Sequence, residues 1–110
     1  MAYVKLPVRA DLPAYEFEIE LEGRVFFFSF NWNARIGKWF MTIKDQSQAV
    51  IVSGVKLLTG WPILERLKDT RLPLGTMFVI DSANEGKDPG VDELGSRHIL
   101  MYRESTTVDE

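Results

Sequence analysis

The side chains best suited to chemistry in this 110-residue chain are one histidine, a surplus of carboxylates and a set of large aromatics. A Ser-His-Asp arrangement would need His98 as its base. No Gly-rich nucleophile elbow accompanies it. His98 stands inside an alternating strand pattern, so it reads as a strand histidine, exposed or hydrogen-bonded. The chain has no cysteine, which excludes disulfides, thiolate metal sites and a Cys nucleophile. A single His also disfavours zinc, whose sites draw on several N and S ligands. The acids Asp81, Glu85, Asp88, Asp92 and Glu93 invite a calcium reading. Their spacing does not match the twelve-residue loop that ends in a bidentate Glu. Paired carboxylates can run glycoside hydrolysis, but most acids here lie on one strand face or in that loop. A domain this small rarely forms the deep cleft such chemistry needs. Gly54 and Gly60 are too isolated to cradle a phosphate. The expectation is therefore no enzyme, no cofactor and no metal.

The aromatics leave two readings open. Trp39, at strand spacing among Phe and Ile, suits a core position with its indole N–H on a carbonyl; the other reading is a stacking platform for a base or sugar. Trp61, next to Pro62 and between turn signals, is either a core plug or a partner contact, since Trp is enriched at interface hot spots.

The elements that position these residues centre on Tyr15–Asp45. Tyr15, Phe17, Ile19 and Leu21 alternate with Glu16, Glu18, Glu20 and Glu22. Strand side chains have period two, so one face is apolar and the other carries carboxylates. That row is a solvated face, or a docking stripe for basic residues on a partner or a neighbouring copy. Gly23 makes a tight turn into Val25–Trp32. Phe26, Phe28, Phe30 and Trp32 share one face of that strand, and Val25, Phe27, Ser29 and Asn31 the other. The strand reads as central, with Phe27 covered on its second side by this chain or by a partner. A turn at 33–37 leads to Lys38–Lys44, where Trp39, Met41 and Ile43 oppose Phe40, Thr42 and Lys44.

Upstream, Pro7 and Pro13 keep residues 1–13 extended. Tyr3, Val4, Leu6 and Val8 suit a short edge strand, or an arm laid on a neighbour. Downstream, Ala49–Ser53 and Val55–Thr59 read as two short strands meeting at a bend or bulge at Gly54. Trp61–Leu67 reads as loop or one helical turn. Thr76–Asp81 is a strand apolar on both faces, Ser82–Asp92 a surface loop, and Arg97–Arg103 a final strand in which His98, Leu100 and Tyr102 alternate with Ile99 and Met101. Together these give an all-β fold, a six- or seven-stranded antiparallel barrel or sandwich with at most one short helical turn. The divisions are an extended arm over residues 1–14, one β domain over 15–103 and a frayed acidic tail over 104–110.

Net charge is −3, which argues against a sequence-independent nucleic-acid binder. No apolar run reaches the roughly 18 residues of a membrane helix. The first residues lack a signal peptide's hydrophobic core, so secretion by that route is not expected.

The ordered set Leu21, Gly23, Asn33, Trp39, Ile43, Asp45, Gly54, Leu58, Gly60, Pro73, Gly75, Asp81, Leu94, Gly95 and Tyr102 resembles the small baseplate plug-like proteins of contractile-tailed bacteriophages. The resemblance spans about Tyr15 to Tyr102. One departure is Gln48, where that kind of protein commonly has glycine in the turn after Asp45. The resemblance implies a virion structural protein near the distal end of the tail tube, assembled in the host cytoplasm. It implies several copies around the axis, bound to other tail and baseplate proteins, without catalysis; charge and hydropathy give no nucleic acid and no membrane as the expectation. Exposure arguments nominate the 1–13 arm, residues 61–67 and the 82–92 loop as contacts, with Tyr3, Leu6, Phe27, Trp61, Ile63 and Leu64 as candidate contact residues. The alternative from the residues alone is a monomeric β-barrel that stacks oligonucleotide or sugar on Phe27, Phe40 or Trp32.

Overall fold

The computed structural model describes residues 3–60, 62–63, 71–73 and 75–104. Seven antiparallel strands form two sheets: β1 (Tyr3–Lys5), β2 (Ala14–Leu21), β3 (Arg24–Asn33), β4 (Lys38–Lys44), β5 (Val50–Lys56), β6 (Thr76–Asp81) and β7 (His98–Arg103). The larger sheet runs β2-β3-β4-β5 and the smaller β1-β7-β6. The architecture is a sandwich and not a closed barrel, because the edges β2 and β5 do not pair with β1 or β6. There is no helix among the described residues. The helical turn expected near Trp61 falls on residues outside them, apart from Pro62 and Ile63.

The meander follows from alternation. Tyr15 lies opposite Phe30 and Phe17 opposite Phe28 in the β2–β3 register. All four rings point inward and stack, with centroids 5.3 Å apart for Tyr15–Phe30 and 5.9 Å for Phe17–Phe28. Trp32 and Trp39 are likewise paired across β3–β4 and meet edge to face at 5.8 Å. The β2–β3 hairpin uses a two-residue loop, Glu22-Gly23, with φ of 53° and 83°. Positive φ at both positions is the turn whose twist matches the strands. Glu22 therefore leaves the carboxylate row of β2, and its side chain accepts a hydrogen bond from the Tyr102 hydroxyl.

The run after residue 48 is one strand where two were expected. β5 keeps pairing with β4 through register shifts, and Gly54 (φ 71°) sits at the irregularity. Gln48 occupies the left-handed region at φ 70° without being glycine. The Asp45 carboxylate holds this turn by accepting the N–H groups of Ser47 and Ala49 at 2.9 and 3.0 Å.

Side chains from both sheets fill the space between them: Phe26, Phe28, Phe30, Trp39, Met41 and Ile43 from one, Met77, Val79, Leu100 and Tyr102 from the other. Leu6 joins them, fully buried, with its N–H on the Leu100 carbonyl at 2.9 Å. β1 pairs with β7, placing Val4 opposite Tyr102. At the β6 edge of the small sheet, the Gly60 and Ile63 N–H groups donate to Val79 and Met77 carbonyls at 3.2 and 2.8 Å.

Candidate functional site

The chemistry-bearing residues converge at one end of the small sheet, and they are committed to holding a loop. Asp81 closes β6 with its side chain buried. Its carboxylate accepts the backbone N–H groups of Ala83, Glu85 and Lys87 at 3.0, 3.1 and 3.2 Å. Arg97 faces it with two parallel bonds, Nε to Oδ1 at 2.8 Å and Nη2 to Oδ2 at 2.9 Å, the fork geometry that binds carboxylate most strongly. The same guanidinium reaches Glu85 at 3.0 Å and Glu93 at 3.5 Å. The Arg97 hydrogen bonds hold the Asp81 carboxyl well below the usual carboxylate range, and the backbone donors add to it. Asp88 is taken by Lys38 at 2.7 Å and by the Thr59 N–H at 2.9 Å. The acids read for calcium in the sequence are thus mostly spent on the cations Arg97, Lys38 and Lys87 and on backbone N–H groups, that of Gly90 on Glu93 included.

His98 is fully buried, neither exposed nor poised as a base. Its Nε2 lies 2.7 Å from the Lys87 carbonyl, so Nε2 carries the proton and donates. Nδ1 has no hydrogen-bond partner and sits 3.9 Å from Glu93 Oε1. Loop serines give it no nucleophile, since Ser82 and Ser96 donate their hydroxyls to backbone carbonyls of Arg97, Asp92 and Glu93.

One prediction belongs to this cluster. Asp81 titrates lower folded than unfolded, so its stabilisation is complete above its unfolded value near about 4 and is lost progressively as pH falls below that. Urea unfolding followed from neutral to acid pH should show wild-type stability dropping below about pH 4. Asp81→Asn should be less stable at neutral pH and show a shallower acid limb. An unchanged limb would remove Asp81 from the acid response.

Among the described residues, the two outer sheet faces carry exposed apolar and charged side chains. On the small sheet, Phe78, Ile80, Ile99 and Met101 form an apolar field with Tyr3, where Tyr3 is 52% and Ile80 40% exposed. Lys5 and Arg103 border it. On the large sheet, Glu16, Glu18 and Glu20 line the edge strand β2 beside Val25 and Phe27 of β3. Glu16 is taken by Ser29 Oγ at 2.7 Å and Lys44 Nζ at 3.0 Å.

The nominated contact residues scatter across this map. Tyr3 is on the small outer face. Phe27 is half-buried on the large outer face, opposite Glu18 and Lys44; no second layer among the described residues covers it. Leu6 is corrected to a core residue: fully buried and bonded to β7, it has no surface to offer. Ile63 is half-buried against the core. Trp61 and Leu64 lie outside the described residues. Trp39 is the core tryptophan, with Nε1 donating to the Gly90 carbonyl at 2.8 Å. Trp32 faces inward toward Trp39 while Phe27 and Phe40 face outward, so these three rings do not form one stacking platform. Sequence reasoning missed Phe78, Ile80, Ile99 and Met101 as a surface. The signal was present in strands apolar on both faces, since a three-stranded sheet covered on one side must leave half of those residues outside.

No curated protein matches the chain. A family model described as cyanophage baseplate Pam3 plug gp18 matches residues 3–105, taking in all seven strands and both outer faces. On that match, the chain belongs to the cyanophage baseplate plug family.

Proposed function

We propose that this protein is a structural plug of a contractile-tail baseplate. Several copies around the tail axis would stabilise the end of the tube through contacts with one another and with neighbouring baseplate proteins. Assembly takes place in the host cytoplasm, and the role involves no catalysis, nucleic acid or membrane. The observation that carries the reading is the family match over nearly the whole chain. It is supported by the apolar outer face of the small sheet, which the chain's own core does not use; exposed apolar fields of this kind mark interaction sites. The commitment of Asp81, Arg97 and His98 to backbone and ion-pair contacts supports a scaffold in preference to a reaction centre.

The test is the solution mass of the purified protein by light scattering, alone and mixed with the tail proteins encoded beside its gene. A stable complex with a tail protein is the expected result. A chain that ignores every tail protein would overturn the baseplate role.

A further inference from the structure

We infer that the two outer faces of this sandwich are complementary to each other, and that the protein self-associates by seating the small-sheet face of one copy on the acidic β2 margin of the next. The occupant of the exposed apolar face is thus a second copy of this chain. Charge layout is the first argument. Glu18 and Glu20 are exposed and make no ion pair or hydrogen bond among the described residues, unlike Glu16, which Lys44 neutralises. Lys5 is exposed and likewise makes none, and Arg103 has only a long 3.5 Å contact to Thr76 Oγ1. Two unspent anions on one face meet two unspent cations on the other.

Spacing is the second argument. Glu18 and Glu20 are alternate residues of one strand, so they project from the same face about 7 Å apart. Lys5 lies opposite Met101, and Arg103 is two residues further along β7. That diagonal relation also separates side chains by about 7–8 Å. Apolar side chains stand beside the charges on both faces. Glu18 and Glu20 lie opposite Phe27 and Val25; Lys5 borders Met101, with Ile99, Phe78 and Ile80 beyond. On one face the cations border the apolar field and on the other the anions border Val25 and Phe27, so one docking buries these apolar side chains while pairing the charges. Because the two faces are on opposite sides of one molecule, the contact is heterologous. It propagates from copy to copy and closes into a ring only if the rotation per step allows.

The inference deepens the multi-copy part of the proposed function and rests on it there. Its test is a charge swap read by sedimentation velocity over a wide concentration range at low and high salt. Wild type should associate, more weakly as salt screens the pairs. Lys5→Glu with Arg103→Glu should weaken self-association at least about tenfold, and so should Glu18→Lys with Glu20→Lys. Mixing the two variants should restore association, since each then offers the other an opposite face. All four positions are exposed, and circular dichroism checks that each variant folds; the second pair keeps the test alive if the first does not. Wild type that stays monomeric throughout, variants that associate like wild type, or a mixture that fails to recover overturns the interface. The two readings separate cleanly. A monomer that still binds tail proteins removes this interface and leaves the baseplate role, whereas self-association without affinity for tail proteins does the reverse.

Discussion

Trp39→Ala should cost about 3–5 kcal/mol, the range for truncating a buried Trp or Phe. Domains of this size have some 5–15 kcal/mol of stability, so this one substitution removes a large share of it. Trp39 is fully buried. Its ring meets Tyr15 at 6.0 Å and Trp32 at 5.8 Å, and its indole N–H is the tie from β4 to the loop at Gly90. The loss therefore has an apolar part and a polar part. Trp39→Phe separates them: it keeps most of the packing and removes one of the two donors on the Gly90 carbonyl, which keeps the Glu93 N–H at 3.2 Å, at about 0.5–1.5 kcal/mol. Urea unfolding of the three proteins measures both. A Trp39→Ala loss below about 1 kcal/mol would mean that the site collapses onto the cavity, which the ring stacks around it argue against.

Gly75→Ala is the second large effect, and its cause is space. A Cβ at residue 75 would stand 2.1 Å from the Arg103 backbone oxygen and 2.7 Å from Tyr102 Cζ. The nearest obstacle is backbone of the central strand of the small sheet, which cannot rotate away as a side chain would. Overpacking typically costs about 1–3 kcal/mol; with a backbone atom as the obstacle, we expect the top of that range or more. The shift that relieves the clash also breaks the Gly75 N–H bond to the Tyr102 hydroxyl, 2.6 Å long. That hydroxyl in turn donates to Glu22 in the first hairpin loop. Burial, and then the Glu22 carboxylate, hold the Tyr102 phenol above its ordinary value, so it stays protonated and keeps donating. Thermal melts should place Gly75→Ala well below Tyr102→Phe, which removes the hydroxyl without the clash. Equal losses would show that the hydrogen bonds, and not the close approach, decide the effect.

Period-two alternation was enough to read most of this fold from the chain. Tyr15–Leu21, Val25–Trp32 and Lys38–Lys44 are strands because no other local structure sorts their side chains to one face. What could not be read was which edges meet. A barrel and a sandwich have the same strand patterns, and the difference lies in β1 choosing β7 over β2 or β5. The same non-local choice moved Leu6 from a supposed contact into the core. Turn chemistry was legible at Gly23, yet it removed Glu22 from the row its spacing suggested, because a turn residue no longer obeys strand period. Asp81 and Arg97 are 16 residues apart, and only the β6–β7 register brings them together. Exposure guessed from loops pointed to residues 61–67 and 82–92; among the described residues an exposed apolar field also stands on a sheet face, where the apolar residues are spread one in two.

The pairing of β1 with β7 also sets an order of events in time. The meander β2-β3-β4-β5 joins neighbours in the chain and closes short loops, so it can form while the chain is still being made. The small sheet joins residues 3–5 to residues 101–103, and separations of that kind slow folding. Until the last strand leaves the ribosome, the aromatic inner face of the meander has no lid. The small-sheet face and its two cations do not exist before that moment. A nascent chain therefore has its acidic margin before it has a small-sheet face.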